Sequence, residues 1–290
     1  MHICVCICTY KRPLLLRRLL IGLAGQETGD TFTYSIVVAD NDCEKSAAQV
    51  VHEVAARSSV PIKYCLEPNQ NIAMARNKAV KNSMGDYLAF IDDDEIPRND
   101  WLLTAFRACV QYRVDGVLAP VRPFFEHEPP RWVTRGRFFD RPEHPSGYKL
   151  HWRETRTGNV LIRRGILDGI EEPFRREFGN GGEDQDFFKR LIERGAEFVW
   201  CKEAAVDEVV PPERCRRRYL LRRALQRGRC EKGLADGQGI CKSLIAVPLY
   251  ALIIPFLLIA GQHWSMRYLI RLCDHAGKLV GVLVYRLTGK

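Results

Sequence analysis

Four acidic side chains follow an apolar run without a spacer in the stretch AFIDDDEIP, residues 89–97. Like charges this close repel each other by roughly 1–4 kcal/mol per neighbouring pair, depending on screening. Grouped carboxylate oxygens are the ligands by which proteins hold Mg²⁺ or Mn²⁺, with substrate phosphates completing the shell. The run therefore predicts a divalent-cation site in which Asp92 and Asp94 converge on the ion, or in which Asp93 takes part instead. A solvated acidic turn is the alternative.

A second acidic pair, Glu183 and Asp184, follows the glycine-rich stretch GNGG at residues 179–182. Glycine lets the backbone come close to a bulky substrate and leaves the neighbouring carboxylates unobstructed. A carboxylate beside a reacting centre can act as the general base that takes a proton from an alcohol. An ordinary helix N-terminus, where acids favourably meet the helix dipole and cap the backbone, explains the same pair. The pattern alone leaves both interpretations open.

Short apolar runs alternate with amphipathic segments in the first half of the chain. The strand candidates are HICVCIC, YSIVVAD, PIKYCLE and DYLAFID, and the helix candidates between them are LLLRRLLIGLAGQ, SAAQVVHEVAARS and IAMARNKAVKNS. Strands without polar alternation are buried on both faces, so the pattern predicts a doubly wound α/β domain with a mostly parallel sheet. Ligands bind such sheets at the carboxyl ends of the strands. The candidate ends are Thr9–Arg12, Asp40–Asp42, Glu67–Asn71 and Asp92–Glu95, and all of them are polar.

The 290-residue chain has a net charge of +9, and the positive charge is unevenly placed. Eight arginines lie between Arg214 and Arg229, and the spacing of Arg214, Arg218 and Arg222 predicts a basic ridge on a helix. Such a ridge suits an anionic partner, either lipid headgroups or the diphosphate of a substrate. A solvated charged face and an RNA-binding helix are the alternatives, although few aromatic residues interleave for base stacking.

Cysteines alternate with aliphatic residues in the first predicted strand, at Cys4, Cys6 and Cys8. Strand alternation puts the three thiols on one face, where we expect them to pack as small hydrophobic groups. A three-thiolate metal site is the alternative, although such close ligands suit tetrahedral zinc poorly. Reduced thiols indicate a cytoplasmic protein, and a strand that begins at once leaves no room for a signal peptide.

The C-terminal part of the chain is apolar. Residues 243–266 contain no Lys, Arg, Asp or Glu, which is long enough to span a bilayer, but Pro248 and Pro255 are expected to interrupt the helix. An amphipathic helix is predicted over the following stretch RYLIRLCDHAGKLVGVLVYRL, residues 267–287. A broken or re-entrant helix in one leaflet fits at least as well as a span, and a buried soluble helix is the third possibility. Residues 120–152 show no period and predict a long loop.

These motifs, taken in order, resemble the glycosyltransferase family 2 enzymes of the GT-A fold. The resemblance runs over residues 2–230 through CICTYKRP, VVADND, NIAMARNKAV, FIDDDEIP, TGNVLIRR and GGEDQDFFKRL. It looks closest to the bacterial branch of succinoglycan-type exopolysaccharide glycosyltransferases. The resemblance implies a nucleotide-sugar-binding catalytic domain over 1–212. The arginines and the apolar composition of residues 213–290 predict a helical region that associates with the membrane.

The resemblance also implies roles for individual positions. It assigns nucleotide contacts to the loop after the first strand and to the end of the second strand, sugar-nucleotide and metal binding to the acidic run, and catalysis to the second acidic pair. The implied nucleotide contacts are Thr9, Tyr10, Arg12, Asp40 and Arg76. The implied sugar-nucleotide and metal contacts are Asp92, Asp93 and Asp94, with Asp94 as the direct Mg²⁺ or Mn²⁺ ligand beside Asp92. The implied catalytic base is Asp184, beside Glu183.

The expected reaction is a single in-line displacement that inverts the anomeric configuration. The donor is expected to be a nucleotide-sugar, a UDP-sugar by preference, and the acceptor a lipid-linked saccharide at the cytoplasmic face of the bacterial inner membrane. The stretch RCRRRYLLRRALQRG stands where processive members carry Q-x-x-R-W, which favours the addition of one sugar. A sugar-nucleotide nucleotidyltransferase and a non-catalytic module that binds polyanions at membranes are the alternatives.

Overall fold

The computed structural model describes residues 1–179, 181–230 and 237–288. Asn180 of the predicted GNGG loop, and residues 231–236 and 289–290 of the predicted membrane-associating region, lie outside the described residues. The chain divides into two compact units. The first unit comprises Met1–Pro123 and Arg141–Val209, and the second unit comprises Phe124–Asp140 and Val210–Lys290.

The helices and strands follow the predicted alternation through the first half of the chain. The strands are β1 (His2–Thr9), β2 (Thr33–Asp40), β3 (Ile62–Leu66), β4 (Tyr87–Phe90), β5 (Glu95–Pro97), β6 (Gly116–Leu118), β7 (Val121–Phe124), β8 (Val160–Arg163), β9 (Phe198–Trp200) and β10 (Val206–Val209). The helices are α1 (Pro13–Ala24), α2 (Ala48–Ala55), α3 (Ile72–Asn82), α4 (Trp101–Tyr112), α5 (Arg131–Gly136), α6 (Glu183–Glu193), α7 (Arg217–Cys230), α8 (Gly237–Ala260) and α9 (Gln262–Thr288).

The first unit is built on a seven-stranded sheet in the order β3-β2-β1-β4-β8-β6-β9. The strands β3, β2, β1 and β4 run parallel to one another, whereas β8 is antiparallel to both β4 and β6. A smaller sheet has the order β5-β10-β7. The mostly parallel α/β sheet predicted from the sequence is confirmed.

Apolar side chains cover both faces of the large sheet. Ile3, Val5 and Ile7 of β1 belong to the cluster that packs with α1, α2 and α4. Cys4 and Cys6 point to the opposite face, into the cluster that includes residues of α3 and α6. The prediction that these cysteines pack as small hydrophobic groups is confirmed, and their alternation is what fixes the orientation of β1 in the core.

Three local predictions differ from the structure. Residues 120–152, predicted as one long loop, contain β7 and α5, which are too short to produce a recognisable period. Arg214 was expected on the basic helix, but α7 begins at Arg217, because Arg214 belongs to a preceding turn of 3₁₀ helix. Helix α8 continues through Pro248 and Pro255.

The second unit contains α5, α7, α8 and α9. Within the described residues, one helix is long and apolar enough to cross a membrane, namely Gly239–Ala260 of α8. A turn at Gly261, whose φ is +130°, separates α8 from α9. A small core of Val133, Val210 and Cys215 lies beneath α5.

Candidate active site

The carboxyl ends of four neighbouring parallel strands create the site. Thr9 at the end of β1 is paired with Asp40 at the end of β2, and Asp40 is paired with Leu66 at the end of β3. On the other side of β1, Phe90 ends β4 and leads directly into the acidic run. The side chains that follow these strands therefore meet at one edge of the sheet, as the sequence predicts.

The first strand holds the acidic run through two side chains. Thr9 Oγ1 donates a hydrogen bond to Asp93 Oδ2 at 2.8 Å. Arg12 Nη1 donates to Asp93 Oδ1 at 3.0 Å and to Asp94 Oδ2 at 3.2 Å. Burial raises the pKa of Asp93 to about 6, although the charge of Arg12 acts in the opposite direction. Four of the predicted site residues, Thr9, Arg12, Asp93 and Asp94, are thus brought into direct contact.

Asp92 and Glu95 form a second pair in the same run, in which Glu95 is buried and Asp92 is partly exposed. Glu95 Oε2 accepts a hydrogen bond from the backbone N–H of Asp92 at 3.1 Å. Burial raises the pKa of Asp92, and burial together with the charge of Asp92 raises the pKa of Glu95. A bound cation would offset this accumulation of negative charge.

Gly158 gives these two carboxylates their space. A Cβ atom at Gly158 would lie 3.0 Å from Glu95 Oε1 and 3.1 Å from Asp92 Oδ2. The loop is fixed by Asn159, whose side chain accepts from Trp101 Nε1 at 2.7 Å and donates to the carbonyls of Pro120 and Ala204. Gly158 of the TGN motif is a site residue to which sequence reasoning assigned no role.

Arg76 joins helix α3 to the second acidic pair. Asn71 accepts a hydrogen bond from the backbone N–H of Met74 at 3.1 Å and so caps the start of α3. One turn later, the guanidinium of Arg76 forms a buried ion pair with Glu183 and lies 5.7 Å from the ring centre of Phe174. The second carboxylate oxygen of Glu183, Oε2, is buried without a hydrogen-bond partner among the described residues.

Asp184 lies in the first turn of α6, and its side chain is partly exposed. Gly182 precedes the helix with φ at +92°, in the left-handed region that glycine adopts readily. Asp184 Oδ1 accepts a hydrogen bond from the backbone N–H of Gln185 at 2.8 Å. Asp184 therefore lies at a helix N-terminus and is also accessible from solvent, as a general base would have to be.

Tyr10 and Asp40, two of the predicted nucleotide contacts, differ in their exposure to solvent. Tyr10 is partly exposed, with Lys11 Nζ 5.3 Å from its ring centre. Asp40 is fully buried, and its carboxylate accepts hydrogen bonds from the backbone N–H groups of Asp42 and Ala47 and from the hydroxyl of Tyr64. Asp40 thus fixes the loop after β2, and a contact between its side chain and a nucleotide base stays a prediction.

Arg156 is a further charged residue that sequence reasoning missed. Its Nε and Nη2 atoms are buried and have no hydrogen-bond partner among the described residues. Burial and the neighbouring charge of Arg141 lower the pKa of Arg156 to about 10, while the carboxylates of Glu95 and Asp184 act in the opposite direction. Arg156 therefore carries a positive charge that both acidic groups of the site experience.

The donor atoms of the site fit a hard divalent cation that shares its shell with a substrate. Within residues 1–179, 181–230 and 237–288, no three His, Cys, Asp or Glu side chains are arranged to hold a metal ion. Mg²⁺ and similar ions are commonly held by one or two carboxylates together with substrate phosphates. The run offers two such carboxylates, Asp92, beside the space at Gly158, and Asp94, which also accepts a hydrogen bond from Arg12. A diphosphate would have to complete the shell of an ion held there.

The sequence and the fold both have known relatives. Residues 4–170 match the model of the family described as "Glycosyl transferase family 2". Succinoglycan biosynthesis protein ExoM of Rhizobium meliloti (strain 1021) is 35% identical over 229 residues, which cover 79% of this chain and 73% of ExoM.

Two solved structures share the fold at low sequence identity. One is the mannosyltransferase PcManGT from Pyrobaculum calidifontis in complex with GDP-Man and Mn²⁺, with a TM-score of 0.65 at 17% identity. The match covers 99% of this chain and 87% of the PcManGT chain. The other is S. aureus TarS 1-349 in complex with UDP-GlcNAc, with a TM-score of 0.59 at 16% identity. The match covers 99% of this chain and 92% of the TarS chain. With its matched family model, its ExoM relative and its GT-A fold, the chain belongs to glycosyl transferase family 2 and is a glycosyltransferase.

Proposed function

We propose that the protein transfers a single sugar from a nucleotide-sugar to a lipid-linked saccharide, with inversion at the anomeric carbon and with a divalent cation. The resemblance to a succinoglycan biosynthesis protein supports a role in bacterial surface polysaccharide synthesis. A UDP-sugar is the donor we favour, and the cytoplasmic face of the inner membrane is the proposed location.

The donor side of the proposal rests on the acidic run and its arginine. Mg²⁺ or Mn²⁺ at Asp94 and Asp92 would neutralise the departing nucleoside diphosphate. Arg12 bonds to Asp93 and Asp94 and its side chain is partly exposed, so its positive charge can act on phosphate oxygens that approach the acidic run. Arg76 holds Glu183 and provides a second positive charge at the same sheet edge.

The acceptor side of the proposal rests on Asp184. Its carboxylate takes the proton of the acceptor hydroxyl while the hydroxyl oxygen forms a bond to the anomeric carbon. The bond from that carbon to the diphosphate breaks in the same step, and the electron pair leaves with the nucleoside diphosphate. One displacement of this kind converts an α-linked donor into a β-linked product.

The membrane side of the proposal rests on the second unit. Helix α7 carries exposed arginines, among them Arg218, Arg222 and Arg223, and α8 carries exposed apolar side chains. Arginine clusters beside apolar helices suit anionic headgroups and the diphosphate of a lipid-linked acceptor. Nucleic acid is not among the proposed partners.

One observation carries the proposal: the charge of Arg76 acts on two acidic groups. The guanidinium is paired with Glu183, next to Asp184. Burial raises the pKa of Asp92 in the acidic run, and the charge of Arg76 partly opposes that rise. A glycosyltransferase needs a base for the acceptor and a cation site for the leaving group within reach of one sugar. The position of Arg76 supports the proposal that the two acidic groups belong to one electrostatic site.

The test is donor turnover by the detergent-solubilised protein with membrane lipid extract. UDP-, GDP- and dTDP-sugars would be screened with Mn²⁺ or Mg²⁺, with and without a chelator. We expect one donor to release its nucleoside diphosphate, the chelator to stop the reaction, and Asp94→Asn to abolish it. Glu193→Gln, at the exposed far end of α6, is the matched control and should keep full activity. Pyrophosphate release would instead indicate a nucleotidyltransferase, and no binding of any nucleotide-sugar would overturn the proposal.

A further inference from the structure

Helix α8 presents a stripe of exposed apolar side chains from Ile245 to Ile259, and Leu244 and Leu258 are exposed beside it. The stripe consists of Ile245, Leu249, Leu252, Phe256 and Ile259, with exposed fractions from 47% to 89%. Spacings of three and four residues keep these side chains on one face of the helix. An apolar surface of this length marks contact with an apolar phase or a partner.

Helix α9 runs back beside α8 in the antiparallel direction. Ser243 Oγ lies 2.9 Å from Nδ1 of His275, and the ring of Tyr250 lies 5.4 Å from the ring of Tyr268. Residues 243 and 250 of α8 therefore lie beside residues 275 and 268 of α9. Position 250 is at the middle of the apolar part of α8, so the α9 residues around Tyr268 lie beside that middle.

The α9 residues around Tyr268 include two arginines and an aromatic pair. Arg267 and Arg271 flank Tyr268, with Arg267 Cζ 5.1 Å from the ring centre of Trp264 and Arg271 Cζ 5.3 Å from that of Tyr268. Tryptophan and tyrosine are enriched where a membrane meets water, and arginine reaches the headgroups from the same level. The residues beside the middle of α8 thus have the composition of an interface and not of a bilayer centre.

Helix α7 is fixed to α9 and adds more charge. Arg227 donates hydrogen bonds to both carboxylate oxygens of Asp274, at 3.0 and 2.6 Å. A Cβ atom at Gly277 would lie only 2.2 Å from the carbonyl oxygen of Leu225, so the two helix backbones are in direct contact. Positions 268 and 275 of α9 face α8, and positions 277 and 281 lie on a nearly opposite face. The three helices form layers, with α9 between α8 and α7.

We infer that α8 lies flat in one leaflet, parallel to the membrane surface, and does not cross the bilayer. If α8 crossed, α9 would have to enter the bilayer beside it and bring Arg267, Arg271 and Asp274 with it. Each such charge costs at least about 2.5–3.5 kcal/mol near the bilayer centre. In the flat arrangement the stripe enters the acyl chains, and Arg267 and Arg271 meet the headgroups of anionic phospholipids. The inference rests on the membrane association in the proposed function.

The test measures the depth of three stripe positions in lipid vesicles. A fluorescent amino acid would replace Ile245, Leu249 or Ile259 in the full chain, bound to vesicles of phosphatidylethanolamine and phosphatidylglycerol with nitroxide quenchers at known depths. The flat arrangement predicts one common depth, about 5–10 Å into the headgroup and acyl boundary. The same label at Ile21, an exposed apolar residue of α1 in the first unit, is the control that measures quenching of an exposed residue outside the second unit. Arg271→Gln should weaken binding to these vesicles and leave binding to neutral phosphatidylcholine vesicles unchanged.

Two results would overturn the inference. A depth near the bilayer midplane at position 249, with shallow depths at 245 and 259, would show that α8 crosses, and membrane association would stand. Absence of vesicle binding, with the chain eluting as a dimer, would assign the stripe to a second copy and remove the membrane part of the proposed function as well. Donor turnover measured on the same preparations shows separately whether the transferase proposal holds.

Discussion

The guanidinium of Arg76 forms a buried ion pair with the carboxylate of Glu183, so that helix α3 is tied to the first turn of α6. Only about a tenth of each side chain is exposed, 10% for Arg76 and 7% for Glu183. The pair is one residue away from Asp184, whose carboxylate must keep its position to act as a base. Arg76 therefore supports the proposed base by holding the first turn of α6 in place.

Removal of Arg76 should destabilise the first unit. We expect Arg76→Met to lower the free energy of unfolding by about 3–5 kcal/mol, because Glu183 would be left buried and unpaired. The double variant Arg76→Met with Glu183→Gln should recover much of this loss, since it removes the unpaired charge. Urea unfolding followed by tryptophan fluorescence measures both. A single variant as stable as the wild type would show that the pair does not hold α3 to α6.

Gly158→Ala should weaken metal-dependent nucleotide binding and leave the fold intact. The added methyl group would displace the carboxylates of Asp92 and Glu95, which lie about 3 Å from its position. We expect the affinity for a nucleoside diphosphate with Mn²⁺ to fall about tenfold, equivalent to about 1.4 kcal/mol. Calorimetric titration measures this affinity. Gly25→Ala, where the methyl group would meet no atom within 4 Å, is the matched control, and equal affinities of the two variants would contradict the role of Gly158.

Asp93 should make the metal-free protein less stable as the pH rises. The pKa of Asp93 in the folded protein is about 6, above the ordinary 3.8. The folded state therefore holds this proton more tightly, and the resulting stability is present below about pH 4 and lost as the pH passes 6. The pKa difference corresponds to about 3 kcal/mol.

The measurement for Asp93 is the free energy of unfolding at pH 5 and pH 7.5 with a chelator present. Asp93→Asn should show a smaller loss between these two pH values than the wild type, whatever its absolute stability. Asp207→Asn, on the exposed side of β10, should keep the wild-type dependence. The hypothesis fails when Asp93→Asn and the wild type lose the same amount.

The part of the site formed by neighbouring parallel strands was predictable from the sequence. Thr9 ends β1, Arg12 follows β1, and Asp93 follows the adjacent parallel strand β4. The carboxyl ends of adjacent parallel strands lie at the same edge of the sheet, so these three residues are expected to lie close together. The direction of the Asp40 side chain was not predictable, because its partners, the N–H of Ala47 and the hydroxyl of Tyr64, depend on a loop and on a third strand.

Gly158 and Arg156 were missed for a different physical reason. They precede β8, which pairs with β4 in the antiparallel direction although about 70 residues separate the two strands. Neither the local hydrophobic period nor a sequence motif predicts such a long-range pairing. The contact between the start of β8 and the acidic run is therefore visible only in the folded chain. The TGN motif was visible in the sequence, but the space that Gly158 leaves for two carboxylates was not.

Donor binding and sugar transfer should respond differently to Asp184→Asn. We expect this variant to bind the nucleotide-sugar with Mn²⁺ about as tightly as the wild type, because the proposed binding groups lie on β1, α3 and the acidic run. Transfer to the lipid extract should fall by about 10²-fold or more, since the acceptor proton has no base to receive it. Glu193→Gln should keep both properties. Transfer by Asp184→Asn at the wild-type rate would contradict the assignment of Asp184 as the base.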